Sequence, residues 1–134
     1  MTNDDVTQSW LSKASDDLDA AMILCNHHPM KLENICFHAQ QAAEKALNAV
    51  LVDNMVFPNK THNLGEIVSC VEPYMGDLEN LRPKALFLNP YAVEHRYPNE
   101  LYIDEDTARL AIDYASDIVQ RVRRHLRSKQ QDSE

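Results

Sequence analysis

Residues 32–53 read LENICFHAQQAAEKALNAVLVD, and this stretch decides the fold. Its apolar residues recur at intervals of three and four, the spacing that places them on one face of an α-helix. The apolar face is wider than a helix needs when only one side is buried. It comprises Ile35, Cys36, Ala39, Ala42, Ala43, Ala46, Leu47, Val50 and Leu51. We therefore expect a central helix that contacts neighbours on more than one side.

A line of polar residues follows the remaining face of this helix. It consists of His38, Gln41, Lys45 and Asn48, at spacings of three, four and three. Residues three and four apart are neighbours on a helix surface. The line could contact another helix, another subunit or a ligand, or it could be ordinary solvent-facing surface.

Four further segments have the same helical periodicity. They cover about residues 6–25, 64–71 and 77–88, and a last segment that begins near Asp104. Thr61 or Asn63 suits the N-cap of the third helix, because a short polar side chain there accepts from exposed backbone N–H groups. We predict an all-α, up-and-down bundle of four to five helices over residues 1–128. A disordered polar tail is expected at residues 129–134.

Composition excludes several classes of function. The chain has 134 residues, of which 44% are apolar and 25% charged, as expected for one globular domain. Thirteen Lys and Arg against twenty-one Asp and Glu give a net charge of −8, so generic DNA or RNA binding is not expected. Five of the cations crowd between Arg121 and Lys129, where they suit the negative end of a helix dipole. Only two glycines occur, too few for a phosphate-binding loop.

Cysteine and histidine spacing gives no sign of a metal site or a disulfide framework. The three cysteines include no CxxC pair, which favours free thiols in a reducing compartment. His27 and His28 are two ligands, fewer than a site needs, and the acidic residues are expected on outer helix faces. We predict no metal and no cofactor. Because no apolar leader and no membrane-length apolar run occurs, we expect a cytoplasmic protein without membrane contact.

Three short phrases of the sequence are distinctive. They are CFHAQQAAEKAL at residues 36–47, KTHNL at residues 60–64 and AVEHRYP at residues 92–98. Their residues and their order along the chain resemble the HEPN family of small helical domains, over about residues 6–126. The resemblance implies a bundle of four or five helices and a homodimer. It also implies a partner, the minimal nucleotidyltransferase that is encoded beside many such proteins.

The resemblance leaves two kinds of activity open. Members of the family are proposed to bind nucleotides, and one branch consists of metal-independent RNases that act as toxins. That branch carries an arginine followed, after four to six residues, by a histidine, and no arginine of this chain has a histidine at that spacing. We therefore expect a non-catalytic module that dimerises and binds a nucleotide, a partner nucleotidyltransferase, or both, as in a toxin–antitoxin pair. The alternative is a metal-independent RNase toxin with a degenerate motif.

The candidate binding residues lie within or beside the three phrases. They are His38, Gln41, Lys45, Tyr91, Arg96 and Tyr97. Arg96 would bind phosphate through its forked guanidinium, and the tyrosines would stack on a base. The alternative interpretation is that Arg96 pairs with Glu44 or Glu94 and that the tyrosines simply pack.

Overall fold

The computed structural model describes residues 1–58, 60–92 and 103–132, and in these ranges it contains five α-helices and no β-strand. The helices are α1 (Asn3–Cys25), α2 (Leu32–Asp53), α3 (Leu64–Val71), α4 (Leu78–Leu88) and α5 (Glu105–Asp132), with a 3-10 turn at Asn89–Tyr91. The all-α prediction is confirmed. No helix in the described ranges is both long enough and apolar enough to span a membrane.

Helices α1 and α5 flank α2 in an up-and-down arrangement. The Asn3 side chain donates to the Val52 carbonyl at 3.1 Å, so the start of α1 lies beside the end of α2. The Gln130 side chain donates to Asp4 at 3.3 Å, which places the end of α5 beside the start of α1. Helix α1 is therefore antiparallel to both α2 and α5, while α3, α4 and the 3-10 turn also pack against α2.

Helix α2 is the centre of the core, as its wide apolar face predicts. Every residue from Ala46 to Val52 is buried, and α2 contacts all four other helices. Five of its alanines are fully buried: Ala39, Ala42, Ala43, Ala46 and Ala49. Because alanine adds only a methyl group to the backbone, the neighbouring helices pack close to α2. A larger side chain at these positions would overpack the core, at a cost of about 1–3 kcal/mol.

Capping side chains determine where α1 and α3 begin. Thr2 accepts the N–H of Asp5 at 3.1 Å, and the Asp5 carboxylate accepts the N–H of Thr2 at 3.0 Å. This capping box starts α1 earlier than the predicted residue 6. Asn63 caps α3 by accepting the N–H of Glu66 at 3.2 Å, so the second of the two suggested N-caps is the one used.

Helix α5 extends past the predicted end of the bundle. It continues to Asp132, into the segment 129–134 that the sequence pattern assigns to a disordered tail. The Lys129 ammonium donates to Asp53 at 2.8 Å and to Asn54 at 3.0 Å, which attaches this part of α5 to the end of α2. These side-chain bonds join segments far apart in the chain, so the local polar composition does not reveal them.

Candidate functional site

One strip remains accessible along the mostly buried helix α2. Between residues 34 and 45, its partly exposed residues are Asn34, Phe37, His38, Gln41 and Lys45, which we call the α2 strip. Three of the six candidate binding residues, His38, Gln41 and Lys45, therefore lie together on one surface. Asn48, the last member of the polar line, is only 2% exposed, and its carboxamide oxygen has no hydrogen-bond partner among the described residues.

The carboxylate of Asp17, on α1, holds two residues of the α2 strip. Its Oδ1 lies 2.9 Å from His38 Nδ1, and its Oδ2 lies 2.5 Å from Lys45 Nζ. The Asp17 side chain is 13% exposed, and those of His38 and Lys45 are each 27% exposed. When Nδ1–H donates to Asp17, a neutral His38 keeps Nε2 as an acceptor. The strip thus presents an oriented imidazole, and the charge of Lys45 is matched by Asp17.

A second carboxylate–imidazole pair joins α2 to the loop before α3. His62 Nδ1 lies 2.8 Å from Glu44 Oε1, and the His62 side chain is 64% exposed whereas that of Glu44 is 10% exposed. Gln40 donates to the backbone carbonyl of His62 at 3.2 Å, and Gln41 donates to Gln40 at 2.7 Å. Because Gln40 and Glu44 are buried, they fix the loop against α2. The network connects Gln41 with His62, so the first two phrases of the sequence meet here.

Neither Asp17 nor Glu44 is among the candidate binding residues, although the sequence analysis names Glu44 as a possible partner of Arg96. The expectation that acidic residues lie on outer faces is wrong for Asp17 and Glu44, because both accept from polar donors that come from other segments. One signal for Asp17 is present in the sequence. It lies three residues after Ala14 and four before Ala21, which are both fully buried, so it shares the packed face of α1.

Tyr91 is the last residue of the 3-10 turn and packs in an aromatic cluster. Its ring centroid lies 6.3 Å from that of Phe87, whose ring meets Tyr114 edge to face at 5.1 Å. Tyr91 is partly buried against the hydrophobic core. Part of the Tyr91 ring is therefore covered by packing, as the alternative interpretation of the tyrosines expects. Stacking of Tyr91 on a base stays a prediction.

The 3-10 turn brings the start of the third phrase toward the first two. Asn89 Oδ1 accepts the N–H of Leu64 at 2.9 Å, and the turn contacts α2. The third phrase begins at Ala92, directly after the turn. Arg96 and Tyr97 lie outside the described residues, so their approach to the α2 strip stays a prediction.

The chemistry offered by the α2 strip and its neighbours is hydrogen bonding. Within the described residues, no three His, Cys, Asp or Glu side chains are grouped so that they could hold a metal ion. The strip offers the imidazole of His38, the amide of Gln41 and an ammonium that Asp17 already pairs. Such a set suits a polar ligand or a polar protein surface.

Known proteins resemble the chain over most of its length. The family model for the HEPN domain matches residues 7–125. The crystal structure of TT1696 from Thermus thermophilus gives a TM-score of 0.78 at 24% identity, over 89% of this chain and 97% of that one. ST0689, an archaeal HEPN homologue, gives 0.70 at 23% identity, over 87% of this chain and 94% of that one. No curated protein matches. The two structures share the fold, and the family match shows that the chain belongs to the HEPN domain family.

Proposed function

We propose that this chain is a non-catalytic HEPN module that dimerises and binds a nucleotide, a partner minimal nucleotidyltransferase, or both, through the α2 strip. The observation that carries the proposal is the fixed set of polar side chains on the accessible part of the middle of α2. His38 and Lys45 are held by Asp17, and Gln41 is held by Gln40.

Preorganisation of these side chains favours binding. Ordering a flexible side chain on association costs about 0.5–1.5 kcal/mol. The hydrogen bonds already restrict His38, Gln41 and Lys45, so less of this entropy remains to be lost.

Thermal melts against a panel of nucleotides test the nucleotide arm of the proposal. A ligand at 100 times its dissociation constant adds about 2.7 kcal/mol of stability, and in a domain of this size the Tm then rises by roughly 5 °C or more. We expect one nucleotide to give this shift and Gln41→Ala or Arg96→Ala to remove it. Gln120→Ala is the matched control, because Gln120 is an exposed residue of α5 whose amide donates to Ser116.

Co-elution with a minimal nucleotidyltransferase tests the proposed binding of a protein partner. We expect a complex by size-exclusion chromatography that Gln41→Ala weakens and Gln120→Ala does not. If the chain binds neither a nucleotide nor this partner, or if both glutamine variants behave alike, the proposal is wrong.

The dimer in this proposal has an exposed apolar surface available to it. Met55 is 79% exposed and Phe57 is 93% exposed. Both line a groove of about 270 Å³ whose other apolar residues are Val6, Trp10, Val52, Val56 and Pro58. Large apolar side chains that are exposed side by side mark interaction surfaces, so we place the contact between two copies here. Light scattering should give a dimer for the wild type and a monomer for Phe57→Ser. Ile23, which is 70% exposed on another surface, provides the control, and Ile23→Ser should remain a dimer. A wild-type monomer contradicts the dimer, and a dimeric Phe57→Ser variant contradicts this surface.

A second candidate, metal-independent RNase activity, is favoured by the two carboxylate–histidine pairs. Asp17 and Glu44 each occupy Nδ1 of a histidine, which leaves Nε2 for proton transfer. One imidazole would take the proton of the 2′-hydroxyl as its oxygen attacks phosphorus, and the other would protonate the departing 5′-oxygen. RNA cleavage in EDTA that is lost in both His38→Ala and His62→Ala supports this activity. Absence of cleavage, or cleavage that both variants retain, excludes it.

A further inference from the structure

A polar groove of about 490 Å³ lies between α1 and α5. Its floor is apolar, formed by Leu11 and Leu126. Its polar lining residues are Gln8, Ser12, Ser15, Arg123, Arg127 and Gln130. None of the eight described residues that line it is acidic, in a chain whose net charge is −8. On α1 these positions lie about half a turn around the helix from Asp17, so the groove and the α2 strip are different surfaces.

Arg123 and Arg127 have no hydrogen-bond or ion-pair partner among the residues that the structure describes. Two other cations of this segment are paired, because Arg121 lies 3.5 Å from Asp77 and Lys129 lies 2.8 Å from Asp53. Arg124 does not line this groove. The helix dipole does not account for Arg123, since the dipole acts within the last turn and Arg123 lies more than two turns before the end of α5. Two unpaired guanidinium groups, one turn apart, therefore line the same groove.

Ser15 contributes a further unsatisfied polar atom to this groove. Its Oγ is buried and has no hydrogen-bond partner among the described residues. Buried polar atoms in folded proteins are normally hydrogen-bonded, so each exception calls for an explanation. A hydroxyl that can donate to an anionic oxygen is satisfied when an anion occupies the groove.

We propose that the groove between α1 and α5 binds a ligand that carries a diphosphate group. Guanidinium forks bind phosphate oxygens through paired hydrogen bonds. Arg123 and Arg127 are about 6 Å apart along the helix axis, which lets them bind the two phosphoryl groups of one diphosphate. Ser15 donates to a remaining oxygen. The volume also admits an organic group attached to the diphosphate, since ligand pockets typically have about 300–1,000 Å³. This site is independent of the α2 strip and of the function proposed for it.

The test is calorimetric titration of the purified chain with inorganic pyrophosphate at low ionic strength, with sulfate as the probe for a general anion. The variants are Arg123→Gln, Arg127→Gln and Ser15→Ala. Arg124→Gln is the matched control, because it removes the same charge from an adjacent residue that lines the groove between α4 and α5 instead. Circular dichroism checks that each variant is folded, and the substituted arginines have no partner among the described residues whose loss would unfold the chain.

We expect pyrophosphate to bind the wild type more tightly than sulfate does. Loss of one charge-assisted interaction should weaken its Kd by about tenfold or more in Arg123→Gln and in Arg127→Gln. Ser15→Ala should weaken it less, and Arg124→Gln should leave it within about twofold of the wild type. The proposal is overturned if pyrophosphate does not bind at millimolar concentration, if sulfate binds equally well, or if Arg124→Gln weakens binding as much as the other two.

Discussion

Substitution of Asp17 by asparagine removes the charge that organises the α2 strip while it preserves the shape of the side chain. The change deprives Lys45 of its counter-charge and directs an amide N–H₂ toward groups that donate. A hydrogen bond to a charged group contributes about 1.5–3 kcal/mol when buried. Because the three side chains are 13–27% exposed, water recovers part of this energy. We therefore expect Asp17→Asn to lower the free energy of unfolding by about 2 kcal/mol, or the Tm by roughly 5–8 °C.

Urea unfolding followed by far-UV circular dichroism measures this loss, with Asp16→Asn as the matched control. Asp16 is the adjacent residue of α1 and is exposed, so its substitution should change the free energy of unfolding by less than about 0.5 kcal/mol. A double-mutant cycle with Lys45→Met should give a coupling energy of about 1 kcal/mol or more. If Asp17→Asn is no more destabilising than Asp16→Asn, or if the cycle shows no coupling, the carboxylate does not hold the strip together.

Three further predictions concern other parts of the bundle. The Asp104 side chain accepts the backbone N–H of Thr107 at 2.7 Å in the first turn of α5. Asp104→Ala should therefore lower the free energy of unfolding, measured in urea, by about 1 kcal/mol, whereas the control Asp106→Ala should lower it by only about a few tenths of a kcal/mol. Burial and the neighbouring cations Arg121 and Lys129 lower the pKa of His125 below its usual value of 6.5. As the pH falls below 6.5, His125 is protonated more readily in the unfolded chain than in the folded one, so the free energy of unfolding decreases. His125→Gln should therefore reduce the loss of Tm between about pH 7.5 and about pH 5.5, and an unchanged loss would contradict this cause. Burial raises the pKa of the Cys36 thiol to about 12, whereas Cys70 is exposed. Iodoacetamide should therefore modify Cys70 before Cys36, as measured by peptide mass spectrometry. Earlier labelling of Cys36 would mean that the core opens.

Hydrophobic periodicity alone predicts the helices of this bundle because each helix buries one stripe or, for α2, nearly its whole circumference. The ends are less predictable, since they depend on individual side chains. The capping box at Thr2 extends α1 at its start, and the contacts of Lys129 with Asp53 extend α5 at its end. Both effects come from polar residues that a hydrophobic pattern treats as neutral.

The sequence predicts only the part of the candidate site that lies on a single helix. The spacing of His38, Gln41 and Lys45 fixes their common face, and the structure places all three on the accessible strip of α2. The contacts that hold the site are less predictable, because they join different segments. Asp17, which pairs with His38 and Lys45, comes from another helix, and His62, which pairs with Glu44, comes from a loop. Periodicity carries no information about contacts between segments, so these contacts become visible only in the folded chain.

Nuclear magnetic resonance titration tests the central claim, binding at the α2 strip, most directly. The side-chain amide of Gln41 and the imidazoles of His38 and His62 give signals that can be followed one by one while nucleotides, and then the partner nucleotidyltransferase, are added. The account predicts saturable shifts at these three side chains with at least one of these additions, while the amide of Gln120 on α5 stays unchanged. Saturable shifts that leave Gln41, His38 and His62 unaffected, or no shifts with any addition, would contradict it.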